Sequence, residues 1–293
     1  MERIATVAYA AGLIVALWGA ALALGLRNHP RELVQPLRRR GVLAAVVVAD
    51  TVLVPLLAWA VVNALGLGAD AATGLLLVGI ASAGPLGLKV CQLARLDERS
   101  ALCFVVVLDV ANLVALPLWA ALLLPDGTTL RPAEVIVTLA VALLLPLALG
   151  VVARARLGSR ADALARRLGA ASTAGLLVAI AATIARDGDE LAAAAGASVI
   201  AATLAVIGGA FALGWLAGGR SPRTRGTAAF VTACRANALA LAIAETSFPG
   251  RHAIHATIVV FAIVSIVLTT GAALVVGRRA ASGAELAASR GHA

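Results

Sequence analysis

The sequence predicts an all-α polytopic membrane protein of nine transmembrane helices, and three observations predict it. Hydrophobic residues make up 61% of the 293-residue chain and charged residues only 13%, with a mean hydropathy of +0.99; a soluble domain is about 25% charged. The apolar residues form nine continuous runs, each close to the roughly 20 residues that cross about 30 Å of hydrocarbon. The basic residues gather in alternate connections between those runs. Disordered chains are polar and charge-rich, which excludes that class, and barrel strands alternate apolar and polar residues over roughly ten positions.

Taken in order, the first span, 4–26, has too long an apolar run and too little basic charge before it to be a signal peptide. The second, 41–65, carries Asp50. The third, 71–94, is interrupted by Ala83-Gly84-Pro85-Leu86-Gly87, where proline removes a helix donor and glycine permits unwinding. Just past that break stands Lys89, the only lysine in a chain whose other strong bases are all arginine. The fourth span, 101–124, carries Asp109 and Asn112, and spans 133–153, 168–185 and 191–218 are close to uniformly apolar. The eighth, 226–246, is interrupted by Ala233-Cys234-Arg235-Ala236-Asn237, with Glu245 at its outer end, expected in water. The ninth, 252–277, opens with His252 and His255, expected as interfacial anchors. Residues 1–277 thus form one transmembrane domain, and the Ala-, Ser- and Gly-containing tail 278–293 is expected to be disordered.

Eighteen of the 24 basic residues fall on one side of this arrangement and four on the other, with Lys89 and Arg235 inside spans. The positive-inside rule makes the eighteen-cation side cytoplasmic, which places the N-terminus outside and the C-terminus inside a plasma-membrane protein. The net charge of +9 therefore reports topology and calls for no nucleic-acid partner. With that orientation the two interrupted spans run in opposite directions, the pattern of inverted repeats whose broken helices meet at a central site. The helix breaks are assigned to Gly84, Pro85 and Gly87 in span three and, from its polar residues, to the Arg235 region in span eight.

Ionisable groups inside a membrane are costly and mark function by default. At 1.5 Å per residue, Asp50, Asp109 and Arg235 lie on the order of 13–15 Å from the cytoplasmic ends of their spans, and Lys89 roughly 9 Å. Lys89 is expected to reach Asp109 across the hairpin of spans three and four. The four charges sum to zero, so they either serve a ligand or form two ion pairs that set helix register. Asn112 and Asn237 either bind ligand or hydrogen-bond between helices. Cys91, Cys103 and Cys234 lack CxxC spacing, so neither a disulfide framework nor a metal site is expected.

Over nearly its whole length the chain resembles the bile acid:sodium symporter family. The resemblance rests on Asp50-Thr-Val-Leu-Val-Pro55, on Gly79 through Asp97 with Leu93-Ala94-Arg95, on Ala111-Asn112-Leu113-Val114-Ala115, and on Asn237-Ala238-Leu239-Ala240-Leu241-Ala242. It implies two crossing broken helices in a core domain, a separate panel domain, and alternating access for organic anions driven by sodium. The family's sodium ligands do not carry over: their positions fall on Asp50, Gly87, Leu88, Leu108, Ala111, Val231 and Arg235, which lack most of the oxygens a hard cation needs.

The expected function is secondary transport of a small organic anion. Lys89 and Arg235 would hold its carboxylate or sulfonate, helped by half-helix N-termini, and Asp109 and Asp50 would balance them in the empty site. The missing ligands argue against coupling to sodium and leave coupling to sodium or to a proton as the two alternatives. Two other classes remain open: a cation or proton antiporter using the Lys89–Asp109 pair, and a membrane sensor or scaffold that does not transport. No nucleophile–base pair or metal motif occurs, so an enzyme is not expected, and neither is a resident cofactor. The expected partners are the lipid bilayer and a small organic anion; the oligomeric state is left open.

Overall fold

A computed structural model describes residues 2–27, 40–123, 137, 140–186 and 188–290. In chain order the helices are α1 (Glu2–Arg27), α2 (Arg40–Ala64), α3 (Ala69–Ile80), α4 (Leu86–Leu93), α5 (Glu98–Leu123) and α6 (Ala140–Leu157). They continue with α7 (Arg160–Arg186), α8 (Gly188–Ala194), α9 (Ala197–Ala217), α10 (Pro222–Ala233), α11 (Asn237–Ser247) and α12 (His252–Arg290). Seven of them, α1, α2, α5, α6, α7, α9 and α12, are long and apolar enough to cross a membrane. The all-α polytopic expectation is borne out among the described residues, whose only extended pairing is a single bridge between Ala83 and Arg235. Arg31, Arg38, Arg39, Arg131 and most of the start of the 133–153 span lie outside the described residues.

The interrupted third and eighth spans are each a pair of shorter helices, α3 with α4 and α10 with α11. Two further departures from straight spans have one cause. Residues Ala49–Leu53 of α2 and Ala140–Leu144 of α6 are π-helical, and a proline follows each at once, Pro55 and Pro146. Proline cannot donate to the carbonyl four residues back, so the turn before it widens. The orphaned Thr51 carbonyl instead accepts from Trp119 Nε1 at 2.6 Å. The widened turn holds Asp50. The last helix continues to Arg290, past the expected end of the span at 277, because its Ala-rich continuation favours helix.

The helices pack in two groups. In the first, α1 lies against α6 and α7 along a row of glycines. A Cβ on Gly12 would stand 2.7 Å from Gly175 O, and one on Gly150 would stand 2.5 Å from Leu22 O. Backbones in membranes approach this closely only at such small residues. The second group contains α2 to α5 and α9 to α12 around a core that includes Leu75, Leu77, Leu241, Ile243 and Phe261. The site lies within this group and on its seam with the first.

Candidate functional site

The breaks in the third and eighth spans meet. Gly84 N donates to Cys234 O at 2.7 Å and Ala236 N to Ser82 O at 2.9 Å, so the two unwound segments satisfy each other's backbone groups in the interior. Gly84 is required by this approach, since a Cβ there would stand 2.9 Å from Arg235 O. Pro85 caps α4, and Gly87, in its first turn, lets α4 close on Val231. The unwound segment thus contains Gly84 and ends at Pro85, whereas Gly87 lies in the helix that follows.

Arg235 is fully buried at this crossing and its guanidinium is committed. Nη1 lies 2.6 Å from Asp50 Oδ1, Nη2 donates to Gly79 O at 2.7 Å, and Nε reaches Val78 O at 3.4 Å. The Asp50 carboxylate completes its set by accepting from Ser82 Oγ at 2.6 Å. Both side chains of the ion pair are 0% exposed. Val78 and Gly79 stand in the last turn of α3, where helix carbonyls are unsatisfied and the dipole favours a cation. Nη1 also reaches Thr232 O at 3.4 Å, so the guanidinium takes one carboxylate and three carbonyl oxygens, a ligand set that suits a hard cation.

Lys89 is turned the other way. Its ammonium crosses the seam between the two helix groups and donates to Gly169 O on α7 at 2.5 Å and to Thr173 Oγ1. Thr173 itself donates to Gly169 O, which leaves its hydroxyl oxygen free to accept. Both acceptors are uncharged, and neither a hydrogen bond nor an ion pair joins Lys89 to Asp109. Asp109 and Asn112 are buried on one face of α5, and Asn237 is buried at the first turn of α11. Asp109 Oδ2, Asn112 Oδ1 and Asn237 Oδ1 have no hydrogen-bond partner among the described residues.

Lys89 and Pro85 border a small void of about 30 Å³ shared with Arg27, Leu88, Gly169 and Ser172. Arg27 and Leu88 also line a cavity of about 860 Å³ that opens at the arginine-rich end of the bundle, between α1, α6 and α7 on one side and α4, α5 and α10 on the other. Its wall carries Arg99, Arg154, Arg166 and Arg223, of which Arg154 pairs with Asp162 at 2.6 Å. Elsewhere, Glu245 is half-exposed as expected, and its carboxylate lies 3.0 Å from Nε2 of the buried His255, which is therefore a packed residue and no interfacial anchor. No cluster of His, Cys, Asp or Glu suited to a metal occurs among the described residues, and the three cysteines are buried thiols.

The sequence alone missed Ser82, Gly169 and Thr173. A polar residue directly before the break could have drawn attention to Ser82. Gly169 contributes only a backbone carbonyl, which leaves no trace in side-chain chemistry.

The profile of the Sodium Bile acid symporter family matches residues 13–194, which include Asp50, Lys89, Asp109 and Asn112 but stop short of Arg235. No curated protein sequence matches the chain. The match spans more than half of the 293 residues, and the chain belongs to the sodium bile acid symporter family, whose members are membrane transporters and not enzymes.

Proposed function

We propose that the protein is a secondary transporter of a small organic anion, with Lys89 as the residue that receives the anionic group. The observation that carries this reading is the state of the two intramembrane bases. Arg235 is neutralised by Asp50, whereas the Lys89 ammonium bonds only to uncharged oxygens, at the edge of a void that Arg27 also borders. A carboxylate or sulfonate entering there replaces a neutral partner by a charged one and adds the Coulomb attraction of an ion pair to the hydrogen bond. The cavity of about 860 Å³ that shares Arg27 and Leu88 with this void is large for a bare ion, and its five arginines outnumber its three acids, Asp97, Glu98 and Asp162, so its field favours anions.

In this reading the third and eighth spans count as single broken helices. The protein then has nine spans in inverted repeats, and the arginine-rich end, with the cavity, faces the cytoplasm of a plasma-membrane protein. Alternating access is movement of the α1, α6, α7 group against the remainder, along the seam that Lys89 bridges. Sodium is not the driver, because a tethered guanidinium occupies the oxygens of Asp50, Val78 and Gly79. Asn237 Oδ1 beside the crossing and Asn112 Oδ1 on α5, without partners among the described residues, are acceptors for donors on the remainder of the substrate.

The test is exchange of labelled carboxylates and sulfonates by proteoliposomes containing the purified protein. At least one member of the panel should be exchanged without sodium. Lys89→Ala should abolish that exchange, and Lys89→Arg should retain binding. Undiminished exchange by Lys89→Ala would overturn the assignment.

A further inference from the structure

Asp109 is left over by the site described above. It is 3% exposed, on the face of α5 turned to the widened turn of α2, and it lies within electrostatic range of Asp50. Its Oδ2 has no donor, and three residues on, Asn112 Oδ1 has none either. A carboxylate removed from water without a donor or counter-charge does not stay ionised. The charged and titratable groups on the helices packed against α5 do not supply one. On α2, Asp50 is acidic and already paired, and Arg40 stands at the far start of the helix. On α3, Asp70 pairs with Arg251. On α4, Lys89 points across the seam to α7, and Cys91 faces Thr227 O at 3.7 Å. On the α10 side, Arg235 is held by Asp50 and the α3 carbonyls, Cys234 is a neutral buried thiol, and Arg223 and Arg225 sit in the first turn.

We propose that Asp109 binds a proton, and that this proton travels with the anion, so that the protein is a proton:anion symporter. The coupling rests on the transport reading above; the proton on Asp109 does not. The two ligands assist each other by plain electrostatics. Lys89 and Asp109 stand on the two consecutive helices α4 and α5. An anion beside Lys89 opposes ionisation of Asp109, and a proton on Asp109 removes the repulsion that an ionised Asp109 would exert on the anion. Such linkage is reciprocal. The loaded site then contains the ammonium, the anion, the neutral carboxyl and the neutral Asp50–Arg235 pair, with no net charge to carry through the low-dielectric interior. The chemistry is one O–H bond formed from a water-borne proton on one side and broken by return of that proton to water on the other.

The proton is read by infrared spectroscopy of the full chain in nanodiscs. At neutral pH the wild type should show the carbonyl stretch of a protonated, weakly hydrogen-bonded carboxyl, and Asp109→Asn should lose it. An unchanged spectrum would refute the proton site. Asn has the size of a neutral Asp, and a thermal unfolding curve confirms that the variant folds; Asp109→Glu should restore a carboxyl band. Coupling is read on whichever labelled carboxylate or sulfonate the wild type exchanges. An inward proton gradient should accumulate it at least tenfold, whereas Asp109→Asn should not accumulate it above the equilibrium that exchange alone reaches. Accumulation by Asp109→Asn would refute the coupling. If the wild type exchanges nothing while the Asp109 band is present, the transport reading and the coupling both fall and the proton site stands.

Discussion

Replacing Arg235 tests whether the guanidinium is a tethered cation. Arg235→Met removes one partner of an ion pair in which both side chains are fully buried, leaving Asp50 with Ser82 Oγ alone. Breaking a buried pair from one side costs about 3–5 kcal/mol. For a chain of this size each kcal/mol moves the unfolding midpoint by roughly 2–4 °C, so the loss should be on the order of 10 °C. Asp50→Leu should cost a similar amount, since it leaves Arg235 with carbonyl partners only. In the double variant no buried charge remains, and the uncompensated group is chiefly the Gly79 carbonyl, at about 1–3 kcal/mol. The double variant should therefore be no worse than either single one. The assay is thermal unfolding in detergent followed by tryptophan fluorescence. It carries a second readout. With the guanidinium gone, Asp50 and the carbonyls of Val78 and Gly79 present oxygens to a hard cation. Sodium in place of choline should then stabilise Arg235→Met, by about 1.4 kcal/mol at ten times its dissociation constant, and should leave the wild type unchanged. Additive single variants, or a wild type stabilised specifically by sodium, would refute the reasoning.

The packing of α1 on its neighbours gives a sharper sign test at glycine. Gly150→Leu pushes a side chain into the Leu22 carbonyl and should cost about 1–3 kcal/mol or more, whereas Gly208→Ala, with open space around its Cβ in α9, should gain about 0.4–1 kcal/mol; equal effects in thermal unfolding would remove the close-packing account. The orientation is checked by labelling Arg160→Cys and Gly188→Cys, at opposite ends of the span formed by α7, with a membrane-impermeant maleimide in sealed vesicles. The three native cysteines are buried and should stay silent. The two positions should react from opposite sides, and same-side labelling would sink the nine-span topology.

The helices were legible because a membrane demands long apolar runs, and the first break because Gly84-Pro85 is a backbone signal written in side chains. The second break was found only from its polar residues, and the structure joins it to the first by hydrogen bonds that belong to the backbone. The widened turn around Asp50 was also written in the sequence, as Pro55, but its consequence depends on Trp119 donating to the freed carbonyl from another helix. What could not be read was azimuth. Counting residues gives the depth of a charge in a helix but not the neighbour it faces, and depth alone suggested that Lys89 meets Asp109. In the fold Lys89 faces α7, eighty residues away, and finds a main-chain carbonyl that no residue type announces.

That misreading bears on the chemistry. Had Lys89 and Asp109 been paired, the interior would hold two neutral pairs and little reason to admit a ligand. Because only Asp50 and Arg235 are paired, one base and one acid remain unmatched on consecutive helices, one at the seam beside a void and one sealed in the core. In the proposed mechanism the half-buried base recruits the anion, whereas the sealed acid is neutralised only by something as small as a proton. The division of roles follows from access as much as from charge. It also separates the two sets of variants: changes at Lys89 should act on anion recognition, and changes at Asp109 on the gradient that drives it.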